Sequence, residues 1–123
     1  MRWRFGVAAL TLAPLAMGGP SVAADAAHGK ELYAACAACH GDAQHKPTIG
    51  PSLAGVIGRK AGSLDDFRYS PAMQRSTIVW SDDTLRQYLL NPQATVKGNR
   101  MPYAGIGSDA DAADVVGYLH SIK

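Results

Sequence analysis

No segment of this chain alternates apolar and polar residues well enough to make a strand, which removes the sheet-based folds from consideration. No apolar run reaches the roughly 20 residues that a membrane-spanning helix needs. The glycine-rich stretches lack Walker spacing and no strand precedes them, so a phosphate-binding loop is excluded. Glutamate occurs once, at Glu31, and there are only two cysteines, Cys36 and Cys39. A disulfide between residues so close would close a tiny loop and constrain almost nothing. That pair is therefore poor material for stapling a small domain.

The N-terminus carries Arg2 and Arg4, a mostly apolar stretch from Phe5 to Met17, a break at Gly18, Gly19 and Pro20, and then "SVAADA". This order is expected of a secretory leader cut after Ala24, with Ala23 and Ala27 as neighbouring positions. Trp3 interrupts the arginines, so a twin-arginine signal is not indicated. The chain divides into a leader over 1–24 and one functional domain over 25–123. The whole chain carries a net charge of +2, and removing Arg2 and Arg4 brings it to zero. A balanced domain lacks the basic surface that nucleic acid requires.

What is present is concentrated in "YAACAACHGD", residues 33–42. Three chemistries compete for Cys36, Cys39 and His40. A thioredoxin-like thiol pair wants a strand before it, whereas "HGKELYAA" is helix-forming. A zinc site lacks a second ligand pair at finger spacing, although His28, His45 and His120 are available. Covalent attachment of one haem c accounts for all three residues. Two intervening positions let one turn present both sulfurs to the two vinyl groups of a single porphyrin edge, and the next residue offers an axial imidazole.

The remaining pattern is all-α. A first helix is expected from about Ala26 to Ala38, with Leu32, Tyr33 and Cys36 on one face. A long Gly/Pro-rich loop comes after it, of a length that makes sense when it wraps something. Ser70 and Pro71 open a short helix. In "SDDTLRQYLLNP", Ser81 or Asp82 caps a helix whose Leu85, Tyr88 and Leu89 share a face, and Pro92 ends it. "QATVKGNRMPYAGIGS" reads as loop. The last helix starts at Ser108 or Asp109 and sets Ala112, Val115, Leu119 and Ile122 at spacings of three and four. His120, near its end, is expected to favour the helix dipole or face solvent.

A six-coordinate iron needs a second strong ligand. Met73 lies mid-helix in "SPAMQR", where gap-filling is the ordinary role of methionine. Met101 lies in polar, loop-like "KGNRMPY" with Pro102 behind it, so an apolar thioether there points inward at something. Met101 is the expected distal ligand, and His/Met ligation raises a haem's potential.

Assembled, these residues resemble the class I cytochromes c, in the branch of mitochondrial cytochrome c and bacterial cytochrome c2, from about Gly29 to Leu119. "GKELYAACAACH" is similar to the family's first helix and attachment site, "GPSLAGVIGRKAG" to the loop behind the proximal histidine, and "GNRMPYAGI" to the distal-methionine loop. "FRYSPAMQRSTIVWSDDTLRQYL" resembles the segment that supplies pocket aromatics, and "VVGYL" the last helix, which crosses the first near Gly29 and Tyr118.

The resemblance implies roles for residues of the pocket. Pro51 would support His40 through its carbonyl; Arg59, Tyr69 and Trp80 would serve the haem propionates. Tyr88 would pack by the distal sulfur. Asn99, where many relatives have threonine, would donate to a propionate. "HKPTIGP" is two residues longer than the common form, and His45 is left without a role.

It also implies a small cytochrome c fold of about four to five helices with loops wrapped around the haem. The activity implied is that of a monomeric, periplasmic one-electron carrier of a bacterium, not an enzyme, without stable membrane insertion. Its donor and acceptor would be membrane or periplasmic oxidoreductases, and Lys46, Lys97 and Arg100 are docking candidates for acidic partners. The competing functions are a dedicated haem subunit of one periplasmic dehydrogenase or oxidase, and a haem-based ligand sensor.

Overall fold

The structure, a computed structural model, describes residues 6, 8–14 and 24–123. The expected leader falls largely outside the described residues. The described residues hold five helices, in chain order α1 (Ala26–His40), α2 (Pro71–Arg75), α3 (Asp82–Leu90), α4 (Pro92–Thr95) and α5 (Asp109–Leu119). There is no strand among the described residues, only an isolated antiparallel bridge between Lys60 and Val79. None of the described helices is long and apolar enough to cross a membrane.

Helix α1 begins where the Asp25 carboxylate accepts from His28 N at 3.1 Å, an N-cap that satisfies one orphan donor of the first turn. It runs two residues beyond the expected Ala38, through the whole of "CAACH". The reason lies in the loop after it, which satisfies the carbonyls left open at a helix end. Gly41 N donates to Ala37 O at 2.8 Å, Thr48 Oγ1 to Ala38 O at 2.8 Å, and both Thr48 N and Gly50 N to Cys39 O at 3.0 Å.

Helices α1 and α5 form the principal pair. Gly29 permits their close crossing, because a Cβ there would run into the backbone carbonyl of Asp114. One turn on, the Tyr33 and Tyr118 rings meet at 5.1 Å and 54°. Ala112, Val115, Val116 and Leu119 bury the inward stripe of α5. The Ser108 side chain caps α5 by accepting from Asp111 N at 3.1 Å. His120 is the C-cap residue and reaches Asp82 at the start of α3, Nε2 to Oδ1 2.6 Å.

Helix α3 is opened by a reciprocal capping box. Thr84 N donates to Ser81 Oγ at 3.2 Å and Ser81 N to Thr84 Oγ1 at 2.8 Å. It buries Leu85, Tyr88 and Leu89. Pro92 does more than end it. The segment read as loop opens with α4, for which Asn91 is the N-cap and Pro92 the first residue. Proline's fixed φ and missing N–H suit the first helical position as well as the stop before it.

Candidate functional site

The last turn of α1 gathers three functional side chains. Cys36 and Cys39 are three residues apart and His40 is four from Cys36, so all three fall on neighbouring positions of one helical face. They line a cleft of about 420 Å³. The His40 ring lies 2.7 Å from the Pro51 carbonyl through Nδ1. A carbonyl only accepts, so Nδ1 carries the proton and Nε2 keeps its lone pair. Burial lowers the His40 pKa and so favours neutral imidazole; the Pro51 bond acts against this and the Arg59 charge adds to it. Gly50 is required beside the ring, since a Cβ would lie 2.9 Å from His40 Nδ1.

The thiols are free, and that of Cys36 is pushed up, first by burial and then by Cys39. A redox C-x-x-C pair depends on a lowered thiol pKa, so this environment does not suit thiol exchange. Zinc fares no better. Among the described residues the His, Asp, Glu and Cys side chains near enough to share an ion are His28, Asp111 and Asp114, all outside the motif.

Met101 lines the same cleft. The Tyr88 hydroxyl donates to its Sδ at 3.4 Å. Burial pushes the Tyr88 pKa up to about 12, so the hydroxyl remains a donor at ordinary pH. Trp80 stands edge-on to the Tyr88 ring at 5.2 Å and 65°, which fixes the phenol's direction.

Arg59 lines the cleft and donates from Nη2 to Ser52 O at 2.7 Å and from Nη1 to Ala54 O at 3.3 Å. Of a guanidinium's five N–H groups, three remain for an anion. The buried Tyr69 hydroxyl accepts from Leu64 N at 3.4 Å and keeps its own proton to donate. Asn99 also borders the cleft, but its side-chain amide is engaged within the protein. Nδ2 donates to Pro92 O at 3.0 Å and to Val96 O at 2.9 Å, and Oδ1 accepts from Met101 N at 2.9 Å. No Nδ2 hydrogen is left for the propionate expected of it.

The structure thus brings Cys36, Cys39, His40, Pro51, Arg59, Tyr69, Trp80, Tyr88, Asn99 and Met101 to one cleft. Arg100 borders it too and is exposed; Lys46 and Lys97 are exposed and lie off its lining. His45, left unassigned, shares Asp42 Oδ1 at 2.9 Å with the backbone of its own turn. Met73 lines the cleft as well as packing on the core.

Sequence reasoning missed the apolar floor, formed by Leu53, Val56, Leu85, Leu89 and Leu119. The helical periodicity of the last three is visible, but not that they face a void. An apolar cleft with two thiols, a neutral imidazole and a thioether at its walls, and spare donors from Arg59 and Tyr69, fits a covalently bound haem with its propionates neutralised.

A family model described as "Cytochrome c" matches residues 26–123. The chain is 43% identical over 90 residues to cytochrome c2 iso-2 of Magnetospirillum fulvum, covering 73% of this chain and 94% of that protein. It is 37% identical over 100 residues to cytochrome c of Euglena viridis, covering 80% and 98% respectively. Among solved structures it is similar to cytochrome cH from Methylobacterium extorquens, with a TM-score of 0.74 at 37% identity over 79% of this chain and 98% of that one.

Proposed function

We propose a function that proceeds from one premise: the chain belongs to the cytochrome c family. It is an electron carrier of that family rather than an enzyme, and its cofactor is covalent haem c. The haem supplies a ferric/ferrous couple, and each residue of the cleft has a part in holding it. Cys36 and Cys39 form the two thioether links. His40 and Met101 are the axial ligands, with Pro51 fixing the imidazole tautomer and Tyr88 the thioether. Arg59, Tyr69 and Trp80 receive the propionates.

The observation that carries this reading is the pairing of His40 and Met101 on one cleft, one with an unprotonated Nε2 and the other with its sulfur held by a phenol. Held by both His40 and Met101, the iron would have no position left for a substrate. A change of oxidation state then moves few atoms, which suits outer-sphere electron transfer.

We place the carrier in the periplasm of a bacterium after export. It works there as a monomer between membrane or periplasmic oxidoreductases. Lys46, Lys97 and Arg100, all exposed, are the side chains that would meet acidic partners.

The test is the visible spectrum of protein exported in the presence of haem-attachment machinery. The expected result is sharp c-type ferrous bands and a weak red methionine-to-ferric-iron band that Met101→Ala abolishes. A c-type spectrum in which Met101→Ala changes nothing would remove Met101 as the ligand.

A further inference from the structure

We propose that Asn99 is a positioning residue for Met101. Its buried amide, helped by Gln93, fastens the methionine segment to α4 and so sets where the thioether stands. This rests on the reading of Met101 as distal ligand.

Asn99 is only 8% exposed, and a buried amide needs its hydrogen bonds made. The assignment of its nitrogen and oxygen is fixed by what surrounds them: two carbonyls can only accept, and one N–H can only donate. Nδ2 closes onto Pro92 O and Val96 O, carbonyls at the two ends of α4, while Oδ1 holds Met101 N. Gln93, exposed on the same helix, grips the backbone on the near side of the methionine. Its Nε2 donates to Asn99 O at 2.9 Å and its Oε1 accepts from Gly98 N at 3.1 Å.

A helix of four residues does not hold itself together in water. The same bonds therefore make α4 and the methionine segment one braced unit. Beyond Met101, the Tyr103 N–H donates to Met101 O at 2.9 Å. The methionine is thus held at its N–H, its carbonyl and its sulfur. A thioether on three rotatable bonds is a flexible, neutral group, and its place is set by the backbone carrying it. Removing the bond at Met101 N leaves that side of the methionine tied to α4 only one or more residues away, through Gly98 and the backbone of Asn99.

The experiment uses the haem-loaded protein and two readouts: hydrogen exchange at the Met101 amide, and the pH midpoint at which the red methionine-to-ferric-iron band is lost. Asn99→Ala is compared with Val115→Ala, a core change on the α1–α5 pair. In Asn99→Ala we expect exchange at Met101 about tenfold faster, the equivalent of one lost buried hydrogen bond, and a midpoint lower by about one pH unit. Val115→Ala is expected to lower global stability and leave both readouts in place.

If Asn99→Ala fails to fold, Gln93→Ala carries the test from an exposed position, with shifts in the same direction. Unchanged exchange and midpoint in the folded variant, or equal shifts in Val115→Ala, would overturn the proposal. A native protein without the band, but with exchange at Met101 still raised by Asn99→Ala, sinks the ligand reading and keeps the brace.

Discussion

At the scale of single residues, one hydrogen bond reaches the Met101 sulfur itself. The Tyr88 hydroxyl donates to the Met101 sulfur at 3.4 Å. A donor on the thioether draws electron density away from any metal it binds, which disfavours the ferric state and raises the potential. Tyr88→Phe removes the donor and keeps the ring that Trp80 packs against. A neutral hydrogen bond is worth about 0.5–1.5 kcal/mol net, and tenfold in a one-electron equilibrium is about 59 mV. Redox titration of Tyr88→Phe should therefore show a potential lower by roughly 20–60 mV. An unchanged or raised potential would mean that the phenol only fills space. The proximal side works by the opposite polarity. The Pro51 carbonyl accepts from His40 Nδ1, leaving the ring a better donor through Nε2.

At the scale of elements, the α1–α5 pair is clasped outside its core by ionisable groups. Asp114 on α5 accepts from His28 Nδ1 at 2.8 Å through one oxygen and from Asp25 N at 2.8 Å through the other, so it ties down the start of α1. The Asp114 bond raises the His28 pKa above 6.5, with Asp111 and Glu31 adding to it; the His28 bond holds Asp114 below 3.8. The histidine's contribution is whole below its unfolded value and is lost as pH rises through the raised folded one. The carboxylate's is whole above its unfolded value and is lost as pH falls through the depressed one. The clasp is therefore strongest between the two ordinary values, 3.8 and 6.5. The melting temperature of the native protein should exceed that of His28→Asn by more at about pH 5.5 than at about pH 8.5, either side of the ordinary imidazole value. A gap that widens toward alkaline pH would exclude a charged clasp.

Elements also differ in how far they can be read. Helices α2, α3 and α5 announce themselves through Ser70, Ser81 and Ser108, because an N-cap acts over three residues of its own chain. The end of α1 depends on Thr48 and Gly50, which reach back from a loop to carbonyls ten residues or so away. No local pattern encodes that. Helix α4 is hidden because Pro92 serves both to stop α3 and to start the next short helix. The same distinction holds at the site. Cys36, Cys39 and His40 are legible because porphyrin attachment fixes their spacing, and Met101 because an apolar side chain stands in polar surroundings. The partners of Asn99 are not legible, since whether its amide turns to the cleft or to α4 depends on where the Pro92 and Val96 carbonyls fall.

At the scale of the whole molecule, the core and the cleft share residues. Val56, Tyr69, Trp80, Leu85, Tyr88, Leu89 and Leu119 are buried, and each also lines the cleft. One side of the core therefore faces the cleft. Domains of about 100 residues have little surplus apolar burial, and their net stability is about 5–15 kcal/mol. A haem bound in the cleft would supply what that side of the core packs against, and would be part of the fold as well as its cargo. The double variant Cys36→Ala/Cys39→Ala, produced without haem, should lose most of its far-UV helical signal and unfold in urea without a cooperative transition. A sharp two-state transition in that haem-free chain would show that the helices close the cleft by themselves, and that Leu85, Leu89 and Leu119 repack into it when nothing else is there.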